Sequence, residues 1–321
     1  MSKIIQLALA VGEPRSRQFG AESLVSLADA GAIAALAEQV GVAAIRLVDG
    51  GAAPRSLDPT VVGAYLGGLQ GGVGFVVEIQ TTHNAPYNTA RRVLSLDRAT
   101  GGRTGVALRA GRGDEVSEAT VPDPSATDPT QRWREYARVL TRLWESFPRA
   151  ALIGDQEAGL VVEDALIKPI NHEAAFYRVA GPLDGPSSVQ GRPVVIADLS
   201  ALDPAAVAES ADVVVVDRAG AAGADAALAE ALRQAGRSRE DVALLGRVEV
   251  ALDDPAAIGD ELRAWADEHR LDGFELVPAG GTAAVVTVLR ELVPQIADAT
   301  APPPPTLRAA LGLREVAAVL T

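Results

Sequence analysis

Short, β-branched apolar segments alternate with longer helical patterns from one end of the 321-residue sequence to the other, and this alternation predicts an α/β fold. Most of the predicted strands are nearly continuous apolar runs, which is typical of a parallel sheet covered on both faces. The number of strand-helix units favours a (β/α)₈ TIM barrel, because that fold needs ~250 residues plus insertions. An open doubly wound sheet of about six or seven strands is the alternative.

Eight segments have the pattern of barrel strands. They are Ile4–Val11, Ala43–Val48, Val73–Gln80, Thr104–Arg109, Pro193–Ala197, Asp212–Val216, Val242–Val250 and Gly273–Val277. Between them, segments such as "LADAGAIAALAEQVG" and "WREYARVLTRLW" carry apolar residues at i, i+3, i+4 and i+7, the period of a helix that packs on one face. In the joint "LSLDRATGGRTGVALR" we expect the helix to end at Gly101 or Gly102.

Three segments interrupt the repeating pattern. Gly111–Thr130 is rich in Asp, Pro, Ser and Thr and follows the fourth strand, so we expect a long loop in the position of a lid. Pro148–Arg192 contains Gly-Pro pairs and predicts a hairpin excursion before the fifth strand. The run "TAPPPPT" predicts a spacer before an extra C-terminal helix over Leu307–Leu320. We therefore expect residues 1–300 to form the barrel and 301–321 to form a spacer and helix packed on it.

The composition argues against several classes of function. The sequence has 29 Lys plus Arg against 42 Asp plus Glu, a formal net charge of −13, which disfavours binding to nucleic acid or to an anionic membrane. With no cysteine and three scattered histidines, we expect no disulfide, no thiolate chemistry and no transition-metal site. The apolar run "IIQLALAV" is interrupted by Gln6 and predicts a buried strand rather than a signal peptide. We therefore expect a cytoplasmic protein.

The residues that directly follow the predicted strands form a polar rim, and in a barrel this rim surrounds the site. It comprises Asp49, Thr81, Thr82, His83, Asn84, Arg109, Asp198, Ser200, Asp217, Arg218 and the segment "PAGGT" at 278–282. His83 is the histidine placed for proton transfer, because His172 lies in the predicted excursion and His269 near a helix end. The glycines of "PAGGT" are able to present N–H groups to a phosphate, although such a pair is more often a plain turn.

The spacing of the rim residues does not define a reaction. No serine nucleophile elbow, Walker loop or strand-linked dinucleotide-binding glycine loop occurs in the sequence. The carboxylates of Asp49, Asp198, Asp203 and Asp217 fit an acid-base pair, but they equally fit helix N-caps.

Five blocks along the chain resemble one family of flavoenzymes. They are "TTHNAPYNTARRVLSLDRATGGRTG" (81–105), "RWREYARVLTRLWESF" (132–147), "INHEAAFYRVAGPLDGPSSVQGRPVV" (170–195), "DGFELVP" (272–278) and "TLRAALGL" (306–313). The sequence resembles the luciferase-like flavin monooxygenases, in particular the nitrilotriacetate and dibenzothiophene-sulfone monooxygenase branch. The resemblance implies a TIM barrel, often dimeric, that takes reduced FMN from a separate reductase, or a deazaflavin in related branches, and activates O₂ at the flavin.

The functional residues of that family carry over unevenly. By resemblance, Asp49 after the second strand and Thr82 after the third contact flavin, and Ser200 survives from the phosphate-binding run after the fifth strand. In place of the family's Gly-Trp-Asn-x-Val-Thr-Ser after the fourth strand, the chain has "GVALRAG" at 105–111. A His and Tyr pair that the family places before the fourth helix is also missing.

Aspartates replace both glycines of the phosphate-binding run, at Asp198 and Asp203 of "IADLSALD". Glycine lets the backbone approach a phosphate closely, whereas aspartate adds a Cβ atom and a negative charge. Two unit charges ~4 Å apart repel by ~4 kcal/mol at an effective dielectric of about 20, which corresponds to a roughly 10³-fold loss of affinity. We therefore expect a degenerate flavin site unless Arg109 or Arg218 compensates for these charges.

Three functions remain open. The first is a flavin-dependent monooxygenase or oxidoreductase that acts on a small organic substrate with reduced flavin and O₂. It would use His83 and Asn84 as catalytic residues and Asp49, Thr82, Arg109 and Ser200 as cofactor-binding residues. The second is a non-catalytic barrel that binds a ligand, or that pairs with a homologue as a partner subunit. The third is a cofactor-independent lyase or isomerase that uses the rim carboxylates.

Overall fold

The computed structural model describes residues 2–12, 24–49, 56–113, 121–251, 255–299 and 303–316. Its strands are β1 (Ile4–Leu9), β2 (Ala44–Leu47), β3 (Gly74–Gln80), β4 (Thr104–Arg109), β5 (Leu152–Asp155), β6 (Leu160–Val162), β7 (His172–Glu173), β8 (Arg178–Val179), β9 (Val194–Asp198), β10 (Val213–Val216), β11 (Ala243–Val250) and β12 (Gly273–Pro278). Eight of them close into a parallel barrel in the order β1-β12-β11-β10-β9-β4-β3-β2. Because Ile4 of β1 lies opposite Gly273 of β12, the barrel prediction is confirmed and the open-sheet alternative is wrong.

Helices lie between the barrel strands. They are α1 (Leu27–Gln39), α2 (Pro59–Leu69), α3 (Pro86–Ala99), α4 (Pro129–Glu145), α5 (Pro204–Val207), α6 (Ala224–Gln234), α7 (Pro255–His269), α8 (Thr282–Thr287), α9 (Val293–Ile296) and α10 (Leu307–Ala310), with a π-helical segment, Val288–Leu292, joining α8 to α9. Three of these helices begin with an Asp-Pro pair whose aspartate is among the described residues, at Asp58, Asp128 and Asp203. The aspartate accepts an N–H of the first turn, and proline at the first helical position needs no partner for a donor. Within the described residues, no helix combines the length and apolarity needed to cross a bilayer.

The predicted excursion before the fifth barrel strand and the predicted loop after the fourth are both present, but their details differ from the prediction. The excursion over Pro148–Arg192 contains two antiparallel hairpins, β5–β6 and β7–β8, rather than one. In the expected loop after β4, residues 111–113 and 121–128 are irregular, residues 114–120 lie outside the described residues, and α4 already begins at Pro129. The helix before β4 ends as expected, because Gly101 and Gly102 have the positive φ angles of a helix C-terminus.

Two apolar cores hold the barrel together. The larger core lies between the strands and the surrounding helices and contains the fully buried Trp133 and Trp144 of α4. The smaller core lies inside the barrel at the amino ends of the strands, where Leu307, Leu311 and Leu313 close it from below. We call these three leucines the amino-end plug. The amino-end plug fits because the strands around it carry glycine. A Cβ atom would lie 2.6 Å from Leu307 if built on Gly74 and 3.2 Å from it if built on Gly105.

The C-terminal helix is much shorter than expected. The prediction of a helix over Leu307–Leu320 is wrong, because α10 covers only Leu307–Ala310 and residues 313–316 have no regular structure, while 317–320 lie outside the described residues. Gly312 has a φ of 65°, a left-handed conformation that ends the helix after one turn. The apolar spacing of 307, 311 and 313 reflects packing against the barrel and not a long helix.

Arg308 attaches the amino-end plug to the barrel. Its N–H donates to Gln190 Oε1 at 3.2 Å, and its Nη1 donates to Asp212 Oδ1 at 3.2 Å. Asp212 also accepts from Arg192 Nη1 at 2.7 Å and from the Val195 N–H at 3.0 Å. Burial opposes ionisation of Asp212, but the two guanidinium groups outweigh it and hold the pKa of that carboxyl well below its usual range.

Candidate active site

A cavity of about 550 Å³ opens at the carboxyl end of the barrel. This is the mouth cavity, and three of the four predicted cofactor-binding residues, Asp49, Arg109 and Ser200, line it. Its apolar wall includes Leu9, Leu108, Leu202, Val277 and Val285. A cavity with apolar walls and a few convergent polar groups is the usual form of a small-molecule site.

A chain of ion pairs crosses the floor of the mouth cavity. Arg46 is at its centre, with Nη2 2.7 Å from Glu78 Oε2 and Nη1 2.9 Å from Glu275 Oε2. Arg109 Nη1 lies 2.9 Å from Glu78 Oε1, and Arg247 Nε lies 2.7 Å from Glu275 Oε1. Burial opposes ionisation of Glu275, but the guanidinium groups of Arg46 and Arg247 outweigh it and hold the Glu275 pKa below its usual range. The floor is therefore charged and held in one geometry.

The register of the strands places these charges inside the barrel. Glu275 of β12 is the direct Cα partner of Gln6 on β1 and of Arg247 on β11, so the three side chains share the inner face. Gln6 Nε2 donates to Glu275 Oε2 at 2.6 Å. The polar rim predicted from the strand ends does not include this group. The signal that reveals it is a charged residue in the middle of an apolar strand, as Arg46 in "AIRL" or Glu275 in "GFELVP".

Asp198 is neutralised, but not by the arginines that the sequence suggested. Arg247 Nη1 lies 2.6 Å from Asp198 Oδ2, whereas Arg109 pairs with Glu78 and Arg218 with an exposed glutamate, Glu261. Neither Arg109 nor Arg218, the two residues that the sequence left open as compensating charges, pairs with Asp198. β11 lies two strands from β9, so linear sequence did not reveal that Arg247 reaches across to Asp198.

The carboxylate of Asp198 also folds back onto its own loop. Its Oδ1 accepts the Ser200 N–H at 2.9 Å. Burial opposes ionisation of Asp198. The contacts with Arg247 and the Ser200 N–H outweigh this effect, so the Asp198 pKa is lowered. Asp203 behaves differently, because its Oδ1 accepts the Ala206 N–H at 2.8 Å and it serves as the N-cap of α5.

Three predicted residues lie beside the mouth cavity rather than in it. Thr82, His83 and Asn84 line a neighbouring cavity of about 210 Å³, which shares Asp49 and Glu78 with the mouth. Asn84 Nδ2 donates to the Thr82 carbonyl oxygen at 3.1 Å, so its amide shapes the turn after β3. His83 stands on this turn with a φ of 61°.

The residues of the mouth fit one part of a flavin and not another. The volume and apolar wall suit a flat ring system of the size of isoalloxazine. The loop after β9 does not fit a flavin phosphate, since the Ser200 N–H and the Arg247 guanidinium are both engaged by Asp198. The expectation of a degenerate phosphate site therefore has a physical basis in the geometry of this loop.

A closed parallel barrel with helices around it defines a TIM-barrel protein, and the cavity lies at the carboxyl end, where such barrels hold their sites. The family model of luciferase-like monooxygenases matches residues 8–285, and the chain belongs to that family. This confirms the resemblance found in the sequence blocks.

Two relatives and one solved structure illustrate the similarity. Nitrilotriacetate monooxygenase component A of Aminobacter aminovorans is 33% identical over 144 residues, 44% of this chain and 32% of the relative. One of the subunits of pristinamycin IIA synthase, from Streptomyces pristinaespiralis, is 30% identical over 258 residues, 79% of this chain and 84% of the relative. The EDTA monooxygenase structure from Chelativorans sp. BNC1 has a TM-score of 0.76 and 18% identity over 98% of this chain and 99% of that one, which shows a shared fold. The match to nitrilotriacetate monooxygenase spans about a third of that relative's length.

Proposed function

We propose that the chain acts in a flavin-dependent monooxygenase that oxidises a small organic molecule with reduced flavin and O₂. Membership of the luciferase-like family over residues 8–285 carries the proposal, because every residue that lines the mouth cavity falls in that range. A separate reductase supplies the reduced flavin, with a deazaflavin as the alternative cofactor. Such a cofactor supplies the redox chemistry itself, so few protein acids and bases are required.

In this proposal the side chains of the mouth bind and orient. Arg109 keeps half of its side chain exposed while Glu78 holds one of its nitrogens, so its guanidinium is available to an anionic group of the ligand. Asp49 and Ser200 line the same cavity and contact the cofactor. His83 and Asn84 act from the neighbouring cavity as the catalytic pair, and Thr82 supports the turn that carries them.

Titration of the purified protein with FMN, reduced FMN and a deazaflavin under anaerobic conditions tests the proposal. We expect micromolar dissociation of at least one flavin species. Arg109→Gln should weaken binding of an anionic substrate severalfold, whereas Arg178→Gln, at an exposed arginine of the β7–β8 hairpin, should have no effect. Absence of binding for all three cofactors, together with absence of riboflavin binding, would contradict a flavin enzyme.

A second candidate is a barrel that lacks its own flavin chemistry and pairs with an active homologue. Two observations favour it. Asp198 engages the Ser200 N–H and the Arg247 guanidinium. The relative that aligns over 84% of its length is named as one subunit of a synthase. The same titration separates the candidates, because a chain with this role would bind no flavin by itself.

Either function involves a second barrel in our proposal, as a homodimer or as a heterodimer with a homologue. Val61, Tyr65 and Leu69 form an apolar stripe along α2, with exposures of 66%, 49% and 54%, and Leu57 extends it just before the helix. Residues four apart lie on one side of a helix, so the stripe is a continuous ridge. An apolar ridge of this length on a surface is typical of a protein interface.

A further inference from the structure

The loop after β9 contains an anion of its own. Asp198 Oδ1 accepts the Ser200 N–H at 2.9 Å, and Asp198 Oδ2 lies 2.6 Å from Arg247 Nη1. A backbone N–H and a guanidinium are the donors that bind phosphate oxygens in proteins. The chain therefore already uses, for its own carboxylate, the two donors that an external phosphate would require at this loop.

The charge of the mouth cavity disfavours a phosphate elsewhere in it. Its lining includes the guanidinium groups of Arg46, Arg109 and Arg247 and the carboxylates of Asp49, Glu78, Asp198, Glu249 and Glu275, three positive groups against five negative ones. Arg46 and Arg247 each pair with two carboxylates, and the half-exposed Arg109 is the group that the proposed function assigns to the substrate. A phosphate monoester adds a charge of about −1.5 to −2 at neutral pH, so it would enter a lining that is already negative.

An uncharged ring meets neither obstacle. The apolar wall of Leu9, Leu108 and Val277 faces the cavity, and hydroxyl groups of a sugar-alcohol chain are able to donate to Asp49 and Glu249, two carboxylates of the cavity lining. Resting on the proposed flavin function, we infer that the mouth cavity takes a flavin without its phosphate, riboflavin, in preference to FMN. Asp198 is the residue that determines this specificity.

Isothermal titration with riboflavin and with FMN, each oxidised and reduced, tests the inference on the full chain. We expect the wild type to bind riboflavin at least tenfold more tightly than FMN. Asp198→Gly releases the Ser200 N–H and Arg247 Nη1, while Arg247 Nε stays paired with Glu275. It should therefore raise FMN affinity by tenfold or more and change riboflavin affinity by less than about threefold. Asp198→Asn removes the negative charge beside Arg247 but keeps an oxygen that accepts the Ser200 N–H. It should therefore raise FMN affinity by an intermediate factor.

Asp203→Asn is the matched control. It removes a nearby negative charge, but Asp203 caps α5 and does not line the mouth cavity, so the ratio of the two affinities should stay at the wild-type value. Thermal melting of each variant checks folding, and Asp198→Asn keeps the acceptor for Ser200 if Asp198→Gly is unstable.

The outcomes separate this inference from the proposed function. FMN binding as tight as riboflavin binding in the wild type overturns the inference and leaves the flavin function intact. FMN affinity that fails to rise in both Asp198 variants overturns the role of Asp198. Absence of binding for both flavins, in the wild type and in the variants, overturns the inference together with the flavin function.

Discussion

The amino and carboxyl ends of the barrel are built in opposite ways. At the amino end, Leu307, Leu311 and Leu313 fill the interior, and one ion cluster around Asp212 attaches the plug. At the carboxyl end, charged side chains from six strands surround an open cavity. The amino end is therefore packed with apolar side chains, and the carboxyl end carries the candidate binding site.

Three of the resembling blocks meet at the amino end. Asp97 of the 81–105 block accepts from Gln190 Nε2 at 2.6 Å, and Gln190 of the 170–195 block accepts the N–H of Arg308 from the 306–313 block. These parts of the three blocks are therefore scaffold, whereas Thr82, His83 and Asn84 at the start of the 81–105 block line the cavity beside the mouth. Substitutions at the two ends should accordingly have very different consequences.

The largest expected effect is at the amino end. Asp212→Ala leaves the buried guanidinium groups of Arg192 and Arg308 without their carboxylate, and we expect a loss of about 3–5 kcal/mol in the free energy of unfolding. Asp217→Ala at the mouth, half exposed and 3.5 Å from Arg247, should cost less than about 1 kcal/mol. Urea unfolding measures both, and equal losses would contradict this division between the two ends.

The second largest effect is a pH dependence of the folding stability that arises from Asp97 at the amino end. Burial raises the pKa of Asp97 from 3.8 to about 6, so the protonated form stabilises the fold. The stability from this group is complete below about pH 4 and is lost as pH rises through about 6, a change of about 3 kcal/mol.

Asp97→Asn should remove this dependence, because the amide oxygen still accepts from the Thr104 N–H and from Gln190. Unfolding free energies of the wild type and the variant, measured from pH 4 to pH 8, give the difference directly. A constant difference between the two proteins over that range would show that Asp97 does not titrate as described.

The smallest effect on folding stability is expected at the exposed ridge of α2, which belongs to neither end of the barrel. Val61→Glu places a charge on the exposed ridge of α2 and should change the stability of a single chain by no more than about 0.5 kcal/mol. We expect it to reduce the molecular mass in sedimentation from that of a dimer to that of a monomer. A matched change at Val189, which is exposed but lies off this ridge, should leave the mass unchanged.

The scaffold was largely predictable because it depends on local patterns. All eight barrel strands, the helix stop at Gly101 and the helix end at His269 follow from apolar periodicity and glycine conformation. The length of the last helix did not follow, since a left-handed Gly312 and packing on the barrel ended α10 early. The local pattern did not show that Asp49, Arg109, Asp198 and Ser200 line one cavity while Thr82, His83 and Asn84 line another.

The sequence by itself determined the barrel, its family and the acidic character of the loop after β9. Only the tertiary structure decided which charges meet. Arg247 reaches Asp198, and Arg46 joins Glu78 to Glu275, across strands that are far apart in the chain. Ion pairing depends on distances of a few ångströms, and a closed barrel sets those distances through register and strand order, which no local pattern encodes.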